Sequence, residues 1–347
     1  GTYGQFVAGT DTGEASSGTV TVPQLQSNPS FRSNLGFAEV TGNAGVVEVK
    51  IFDASNGALL SSAQYPVAPF SHAQFPAAGS GLLLAEFRVV SGSARILAYG
   101  SVVDNASGDA IYVPAQTRPA DGGSDVAPVI SAPGALGTRW ISDVWITGVG
   151  DRSSASMNAL FVDARTGERV QAVIPGPGLH RSVRYSDVVR DLFHRSDTFG
   201  LVRIDLPGDV ILTSRIFTGT SGPSYGQFVP FRDVDDPRVF VPGVETRTLL
   251  HVENNAQFRT NIGVANLGGL VAKLRIHVFD GGGHELGSYE VSVDPLQLQQ
   301  VPVSRITLGD FSNGRASIEL IQASRGVLFY ASTVDNASAD PIYVPAQ

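Results

Sequence analysis

The chain contains a 16-residue stretch twice, and this duplication limits the possible folds more than any other feature. Residues 101–116 read SVVDNASGDAIYVPAQ and residues 332–347 read STVDNASADPIYVPAQ, so that the copies differ at three positions. A looser relative, SRIFTGTSGPSYGQFVP, occupies residues 214–230. Each copy combines an apolar run, a loop of small polar residues and a second short apolar run, which is the pattern of two strands joined by a turn. The chain is therefore predicted to be a repeat array in which this stretch closes each unit.

Two further landmarks show how long one unit is. An aromatic residue followed by a polar pair and a strand occurs three times, at Phe31, Trp140 and Phe258. A strand that ends in an aspartate and a turn also occurs three times, at Asp53, Asp163 and Asp280. These aspartates are 110 and 117 residues apart. One unit therefore spans about 115 residues, which is the size of a β-sandwich domain.

The composition favours short strands joined by tight turns. The chain has 39 glycines and 20 prolines, and its apolar residues alternate with polar ones over short runs, as in half-buried strands. About seven or eight such strands per unit predict an all-β chain of three tandem immunoglobulin-like β-sandwich domains, with very little helix. The predicted boundaries are 1–18 for an N-terminal strand and flexible tether, and 19–116, 126–231 and 239–347 for the domains. The best helix candidate covers residues 186–194, with Ser186 as its N-cap.

Charge and composition exclude several classes of function. Because the chain has no cysteine, it has no disulfide, no thiolate metal site and no cysteine nucleophile. A net charge of −8 argues against a nucleic-acid partner, since such proteins normally carry a basic face. No apolar run approaches the roughly 18 residues of a membrane-spanning helix, so that we expect no membrane span.

The N-terminus departs from the repeat. Residues 3–7, YGQFV, are identical to residues 225–229, which form the predicted last strand of the second unit. A closing strand therefore stands before any domain that it could close, and the polar residues 9–18 behind it are predicted to be a flexible tether. An alternative alignment pairs residues 5–9 with residues 239–243 and makes the segment the first strand of the first unit.

The repeated motifs resemble those of uncharacterised secreted tandem β-sandwich proteins of soil-type bacteria, which carry an aromatic-Arg-Thr-Asp-Leu strand and a Tyr-Gly-Gln-Phe-Ile-Pro closing strand. The resemblance covers nearly the whole chain and depends on short motifs, such as those at residues 3–7 and 225–229. It implies export and a cell-surface or extracellular location. It implies no catalytic residue, because that family has no assigned chemistry.

Catalytic motifs are weak. Residues 222–226 fit the pattern Gly-x-Ser-x-Gly, but the segment precedes a strand, whereas a nucleophile elbow lies between a strand and a helix. The six histidines are scattered over the three units without the spacing of metal ligands. We therefore expect a protein that is not an enzyme and that has no cofactor.

The loop inside the duplicated stretch carries several oxygen ligands. The two copies of the loop contain four aspartates, which could bind a calcium ion as a cofactor. They are Asp104, Asp109, Asp335 and Asp340. Hydrogen bonds of Asx turns would explain the same residues without a metal. Asn105 and Asn336 begin sequons in these loops, so that both are possible glycosylation sites.

Trp145 stands where the other two units have glycine, at Gly36 and Gly263. Its side chain is predicted on the opposite face of its strand from Val144 and Ile146. We expect such a tryptophan to be covered by a neighbouring domain or to face a partner, and we therefore predict that it belongs to an interface.

The leading functional expectation is a non-enzymatic extracellular structural protein whose copies join head to tail into a filament or surface assembly. An unpaired strand edge is a template for another chain, and residues 3–7 could add to such an edge as a donated strand. The predicted assembly residues are Tyr3, Gln5, Phe6 and Val7 of the segment and Ile342, Tyr343 and Val344 of the last strand. The alternative is an adhesin or carbohydrate-binding module that binds surface glycans through Trp145 or the two aspartate-containing loops.

Overall fold

The structure is a computed structural model that describes residues 4–117, 122–134, 137–218, 223–234, 246–323 and 326–347. Strands make up 62% of the described residues and helices 5%, and the strands of these residues form four antiparallel sheets. The prediction of an all-β chain with very little helix is thereby confirmed. Tyr3, Gly222 and residues 239–245, which were assigned to the N-terminal segment, the Gly-x-Ser-x-Gly pattern and the third unit, lie outside the described residues.

The first unit consists of two sheets that share one apolar core. Its strands are β1 (Val20–Ser27), β2 (Phe31–Glu39), β3 (Gly45–Asp53), β4 (Leu59–Val67), β5 (His72–Pro76), β6 (Gly81–Gly92), β7 (Ile96–Asp104), β8 (Ala110–Pro114) and β9 (Gln116–Thr117). One sheet has the order β4-β3-β6-β1-β9 and the other β5-β2-β7-β8. Alternate residues of β3, such as Val47 and Val49, meet Leu35 and Phe37 of β2 in this core, as the period of two along a strand requires.

The strands of the second unit form one nine-stranded sheet. Its elements are β10 (Gly123–Pro133), β11 (Arg139–Gly148), β12 (Met157–Asp163), β13 (Arg169–Ile174), β14 (Ser182–Tyr185), α1 (Val188–Asp191), β15 (Thr198–Leu206), β16 (Val210–Thr218), β17 (Gly226–Pro230) and β18 (Arg232–Asp233). The N-cap of α1 is Asp187, whose side chain accepts a hydrogen bond from the backbone N–H of Arg190. The prediction of Ser186 as the cap was therefore wrong by one residue.

The strands of the third unit form one eight-stranded sheet. Its strands are β19 (Arg247–Asn254), β20 (Phe258–Asn266), β21 (Ala272–Phe279), β22 (Glu285–Val293), β23 (Leu298–Pro302), β24 (Phe311–Gln322), β25 (Val327–Asp335) and β26 (Pro341–Pro345). β2 lies between β5 and β7, β11 between β14 and β16, and β20 between β23 and β25. The closing strands β8, β17 and β26 pair with β7, β16 and β25. The sequence landmarks therefore occupy equivalent positions in the three units.

The N-terminal segment is not a strand of the first unit. Residues 4–9 lie in no strand, so that the alternative alignment, which makes residues 5–9 the first strand, is wrong. The second half of the predicted flexible tether is also anchored to the first unit. The Arg95 Nε donates a hydrogen bond to the carbonyl oxygen of Ala15 at 3.0 Å, and Ser16 forms a β-bridge with Ile96.

The units pack directly against one another. Between the second and third units, Ile216 and Val229 share a buried apolar cluster with Leu298 and Tyr330. Between the first and second units, the His180 ring stacks on Phe52 at 3.9 Å. These contacts bring the loops between β7 and β8 and between β25 and β26 close to the second unit.

Candidate functional site

The two aspartate-containing loops fold identically. We call residues 104–109 and 335–340 the first and second Asp loops. In the first, the Asp104 Oδ1 accepts hydrogen bonds from the backbone N–H groups of Ala106 and Ser107 at 2.8 and 2.9 Å. In the second, the Asp335 Oδ1 accepts the equivalent bonds at 2.8 and 2.9 Å. This is an Asx turn, in which the carboxylate satisfies the loop's own backbone.

The sequon asparagines hold each Asp loop to the loop that precedes the aromatic landmark. The Asn105 Nδ2 donates to the Pro29 carbonyl at 3.1 Å, and the Asn105 Oδ1 accepts from the Arg32 Nη1 at 2.8 Å. The Asn336 Nδ2 donates to a backbone carbonyl at 3.2 Å, and the Arg259 Nη1 donates to its Oδ1 at 2.6 Å. A glycan on either amide nitrogen would have to replace these bonds, and glycosylation stays an untested prediction.

The first Asp loop is docked onto the second unit. The Asp104 Oδ2 accepts a hydrogen bond from the Ser224 Oγ at 2.6 Å. The Asp109 Oδ2 accepts one from the backbone N–H of Gly226 at 2.8 Å, and the Ser107 Oγ donates to the Ser224 carbonyl at 2.8 Å. The loop therefore binds the backbone at the start of β17, in the YGQFV segment of the second unit.

The second Asp loop binds the other copy of the same pentapeptide. The backbone N–H of Gly4 donates to the Asp340 Oδ2 at 3.0 Å, as that of Gly226 does to Asp109. The phenylalanine two residues later repeats the match, since Phe228 packs against the core of the first unit and Phe6 against the core of the third. Two identical segments are thus recognised by two nearly identical loops, through the same backbone group and the same aromatic side chain.

Burial makes the second aspartate of each loop unusual. Burial raises the pKa of Asp109 to about 6, although the Gly226 N–H and the Arg215 guanidinium both oppose that shift. For Asp340 burial is again the main cause, and the negative charge of Asp109 adds to it, so that its pKa rises to about 8. The two carboxyls therefore lie near enough to repel each other where the three units meet.

Ser224 serves this junction and does not resemble a nucleophile. Its side chain is 4% exposed, its Oγ donates to Asp104, and the Arg215 Nη2 donates to the same Oγ at 3.2 Å. Within the described residues no group of three or more His, Cys, Asp or Glu side chains is placed to hold a metal ion. The calcium prediction for the four loop aspartates stays untested, and their hydrogen bonds lend it no support.

The prediction that Trp145 belongs to an interface stays a prediction, because burial of its side chain is also what cover by a neighbouring domain would give. Its side chain is 0% exposed, and the guanidinium of Arg184 in the same unit lies 5.2 Å from its ring centre. Trp145 pairs across the sheet with Thr213, whereas Gly36 pairs with Tyr99. A Cβ on Gly36 would lie 2.4 Å from the Tyr99 ring, so that the tyrosine of the neighbouring strand occupies the space in the first unit that the tryptophan fills in the second.

The structure brings together part of the predicted assembly set. Gln5 and Ile342 line one cavity next to the Gly4 contact, and Phe6 reaches the core of the third unit. Val7 is 52% exposed, while Tyr343 and Val344 are buried within the chain at 5% and 0% exposure.

Sequence reasoning missed four residues of these contacts: Gly4, Arg215, Ser224 and Gly226. The signal that could have found the glycines is that the loop and the pentapeptide each occur twice.

Comparison with known proteins adds no assignment, since no protein-family model matches the chain and no curated protein matches it. Among the helices of the described residues, none is both long enough and apolar enough to cross a membrane.

Proposed function

We propose that the chain is a non-enzymatic extracellular structural protein of three tandem immunoglobulin-like β-sandwich domains, whose copies join head to tail through the N-terminal segment. The threefold recurrence of one strand-pairing pattern supports the domain assignment. The extracellular location rests on the resemblance to secreted tandem β-sandwich proteins.

The observation that carries the assembly proposal is the repeated recognition of YGQFV. One copy of this sequence is a fixed strand inside the chain, and its contact with the first Asp loop joins two units. The other copy, near the N-terminus, makes the same contact with the second Asp loop. A contact that joins units within one chain can equally join units of two chains when one partner is on a tether.

The geometry favours docking onto a loop over the addition of a strand to a sheet edge. Gly4 and Phe6 make the contacts, while residues 4–7 lie in no strand. The segment can reach the third unit of its own chain or that of a neighbour. The second choice places the N-terminal end of one molecule on the third unit of another, which is a heterologous contact that propagates into a filament.

The first experiment removes the segment. We expect deletion of residues 1–9 to abolish polymers of the purified chain, as seen by electron microscopy and by light scattering across a range of concentrations. Phe6→Ala should weaken assembly strongly, whereas Val7→Ala is the matched control, because Val7 is 52% exposed. Polymers that persist unchanged after the deletion would refute the proposal.

The second experiment supplies the segment in trans. At a pH above about 8, where Asp340 is ionised, a fluorescent peptide of residues 1–9 should bind the deleted chain. It should bind the Asp340→Asn variant of that chain more weakly, because the charged acceptor for the Gly4 N–H is lost. Peptide binding that is equal in the two proteins would show that the second Asp loop is not the receptor.

A glycan-binding adhesin is the second candidate. The structure offers Trp140 as its binding aromatic residue in place of Trp145. Trp145 is buried, so that a substitution there would report stability instead of binding. A cavity of about 120 Å³ between the second and third units is lined by Trp140 and Tyr330 together with the amide of Gln300, and aromatic faces with convergent amides suit a small polar ligand. Binding on a glycan array that is lost on Trp140→Ala would favour this candidate.

A further inference from the structure

The first Asp loop holds an arginine side chain of the second unit. Arg215 is 4% exposed, its Nη2 lies 3.8 Å from the Asp109 Oδ2, and its guanidinium lies 5.5 Å from the ring centre of Phe31. Burial lowers the pKa of Arg215, and the charges of Asp109, Asp143 and Asp104 oppose that shift. The docked arginine is therefore enclosed by an aromatic face and two carboxylates.

The third unit has an equivalent aromatic residue and equivalent carboxylates. Phe258 pairs with Asp335 across β20 and β25, as Phe31 pairs with Asp104 across β2 and β7. At the position that Arg215 occupies beside the first Asp loop, the second Asp loop has a cavity of about 230 Å³. The lining of this cavity includes Phe258, Asp335, Asp340, Glu253, His251 and Gly4.

An unsatisfied carboxylate oxygen provides a second observation. Asp340 is 5% exposed and lines this cavity. Its Oδ2 accepts the Gly4 N–H, but its Oδ1 has no hydrogen-bond partner among the described residues. A buried carboxylate oxygen without a donor is costly, and a donor entering the cavity would remove that cost.

We propose that this cavity of the third unit is a binding site for a guanidinium group, carried by an arginine side chain from outside the chain. A guanidinium is planar and weakly hydrated, so that it can lie on the Phe258 ring and donate to Asp340 at the same time. The compact ammonium of lysine cannot do both equally well. The site goes beyond the proposed assembly, because it is formed within a single copy of the chain.

The charge of the site gives the binding a defined pH dependence. Asp335, Glu253 and His251 line the cavity with Asp340, and the charges of Asp109 and Arg215 also act on Asp340. Since Asp340 has a pKa of about 8, a bound cation must favour its ionised form and displace its proton. The affinity for a guanidinium should therefore rise as the pH increases towards and through about 8.

The test titrates the full chain with N-acetyl-arginine amide and follows the Gly4 amide resonance by NMR, because Gly4 lines the cavity. N-acetyl-citrulline amide, which has nearly the same shape and no charge, and N-acetyl-lysine amide are the competing probes. We expect saturable binding of the arginine probe, and an affinity for the citrulline probe lower by about tenfold or more, as for the loss of a charged hydrogen bond.

Two variants locate the site. Asp340→Asn should weaken binding of the arginine probe by about tenfold and abolish its pH dependence, and Phe258→Leu should weaken it severalfold. Glu285→Gln makes the same acid-to-amide change at an exposed position and should leave binding unchanged. If Asp340→Asn unfolds, the Phe258→Leu variant and the pH profile of the unmodified chain decide the question.

Equal binding of the citrulline probe, no saturable binding of the arginine probe, or unchanged binding in Phe258→Leu would each overturn the proposal. Because the probe binds one copy, these outcomes leave head-to-tail assembly untouched, and a failure of assembly leaves this site untouched.

Discussion

The packing between β11 and β16 can be tested because the large residue of one cross-strand pair lies on opposite strands in the first and second units. Trp145 lies opposite Thr213 in the second unit, whereas Gly36 lies opposite Tyr99 in the first. Trp145→Gly removes a side chain that is 0% exposed, and the loss of a buried tryptophan costs about 3–5 kcal/mol. A glycine inside a strand adds roughly 0.5–1 kcal/mol. We therefore expect the free energy of opening of the second unit to fall by about 4–6 kcal/mol.

The partner substitution should rescue this loss. Thr213→Tyr alone places a tyrosine against the intact tryptophan and should cost about 1–3 kcal/mol through overpacking. Trp145→Gly combined with Thr213→Tyr recreates the arrangement of Gly36 and Tyr99. The loss in the double variant should therefore be smaller than the sum of the single losses by about 2 kcal/mol or more, which is a large coupling for a contacting pair.

The assay is native-state hydrogen exchange, followed by mass spectrometry on peptides from β11 and β16, because it reports the second unit separately from the other two. Peptides from β20 and β25 of the third unit are the internal control and should not change. A coupling of less than about 0.5 kcal/mol, the usual error of additivity, would refute the reasoning.

Three further predictions concern the same strands and loops. Gly36→Ala should lower the free energy of unfolding by about 1–3 kcal/mol in urea titrations, because its new Cβ would lie 2.4 Å from the Tyr99 ring; an unchanged midpoint would contradict this packing. Ser224→Ala should cost about 1–3 kcal/mol by the same measurement, because it removes the donor to the buried Asp104 carboxylate; a neutral result would mean that water replaces the hydroxyl. For Asp340, the folded-state pKa of about 8 lies above the usual 3.8, so that the folded chain binds the extra proton between these values and stability should fall as the pH rises from about 4 to about 8. Asp340→Asn should flatten that part of the pH profile of thermal unfolding, and an unaltered slope would contradict the assignment.

The sequence predicted the repeating framework because its signals are local. An aromatic residue at the start of a strand, an aspartate before a turn and a closing apolar run each depend on neighbouring residues, and all of them recur in the same strands of the three units. The boundary of α1 was missed by one residue, since Ser186 and Asp187 both have capping side chains and the surrounding backbone decides which one bonds.

The secondary structure of the N-terminal segment could not be predicted from its own residues. Residues 3–7 have the sequence of a strand, but a strand needs a neighbouring strand to pair with. The identical residues at 225–229 have β16 beside them, while the described part of residues 3–7 lies in no strand. Identical sequences therefore keep their contact with an Asp loop and differ in secondary structure.

Trp145 shows a second limit. Alignment of the units places it opposite glycines, and this correctly indicates that the position is unusual. The reason lies on the neighbouring strand, where Thr213 replaces a tyrosine, and this becomes visible only when the register between β11 and β16 is known. The tryptophan is thus one half of a pair in which a large residue on one strand faces a small residue on the next.

The two Asp loops make the same contact in two settings, and in the proposed assembly the first contact would be the fixed one and the second the reversible one. At the first loop, the YGQFV segment is held by β16 as well as by Asp109, and Arg215 offsets part of the buried negative charge. At the second loop, the described part of the segment lies in no strand, and the Asp340 Oδ2 accepts one backbone N–H from it. The second contact should therefore be the weaker one. A tethered segment that binds weakly to its own chain can be displaced by the same segment of a neighbour when the local concentration of chains approaches the effective concentration set by the tether. Head-to-tail assembly would then begin where chains are crowded, as at a surface, and not in dilute solution.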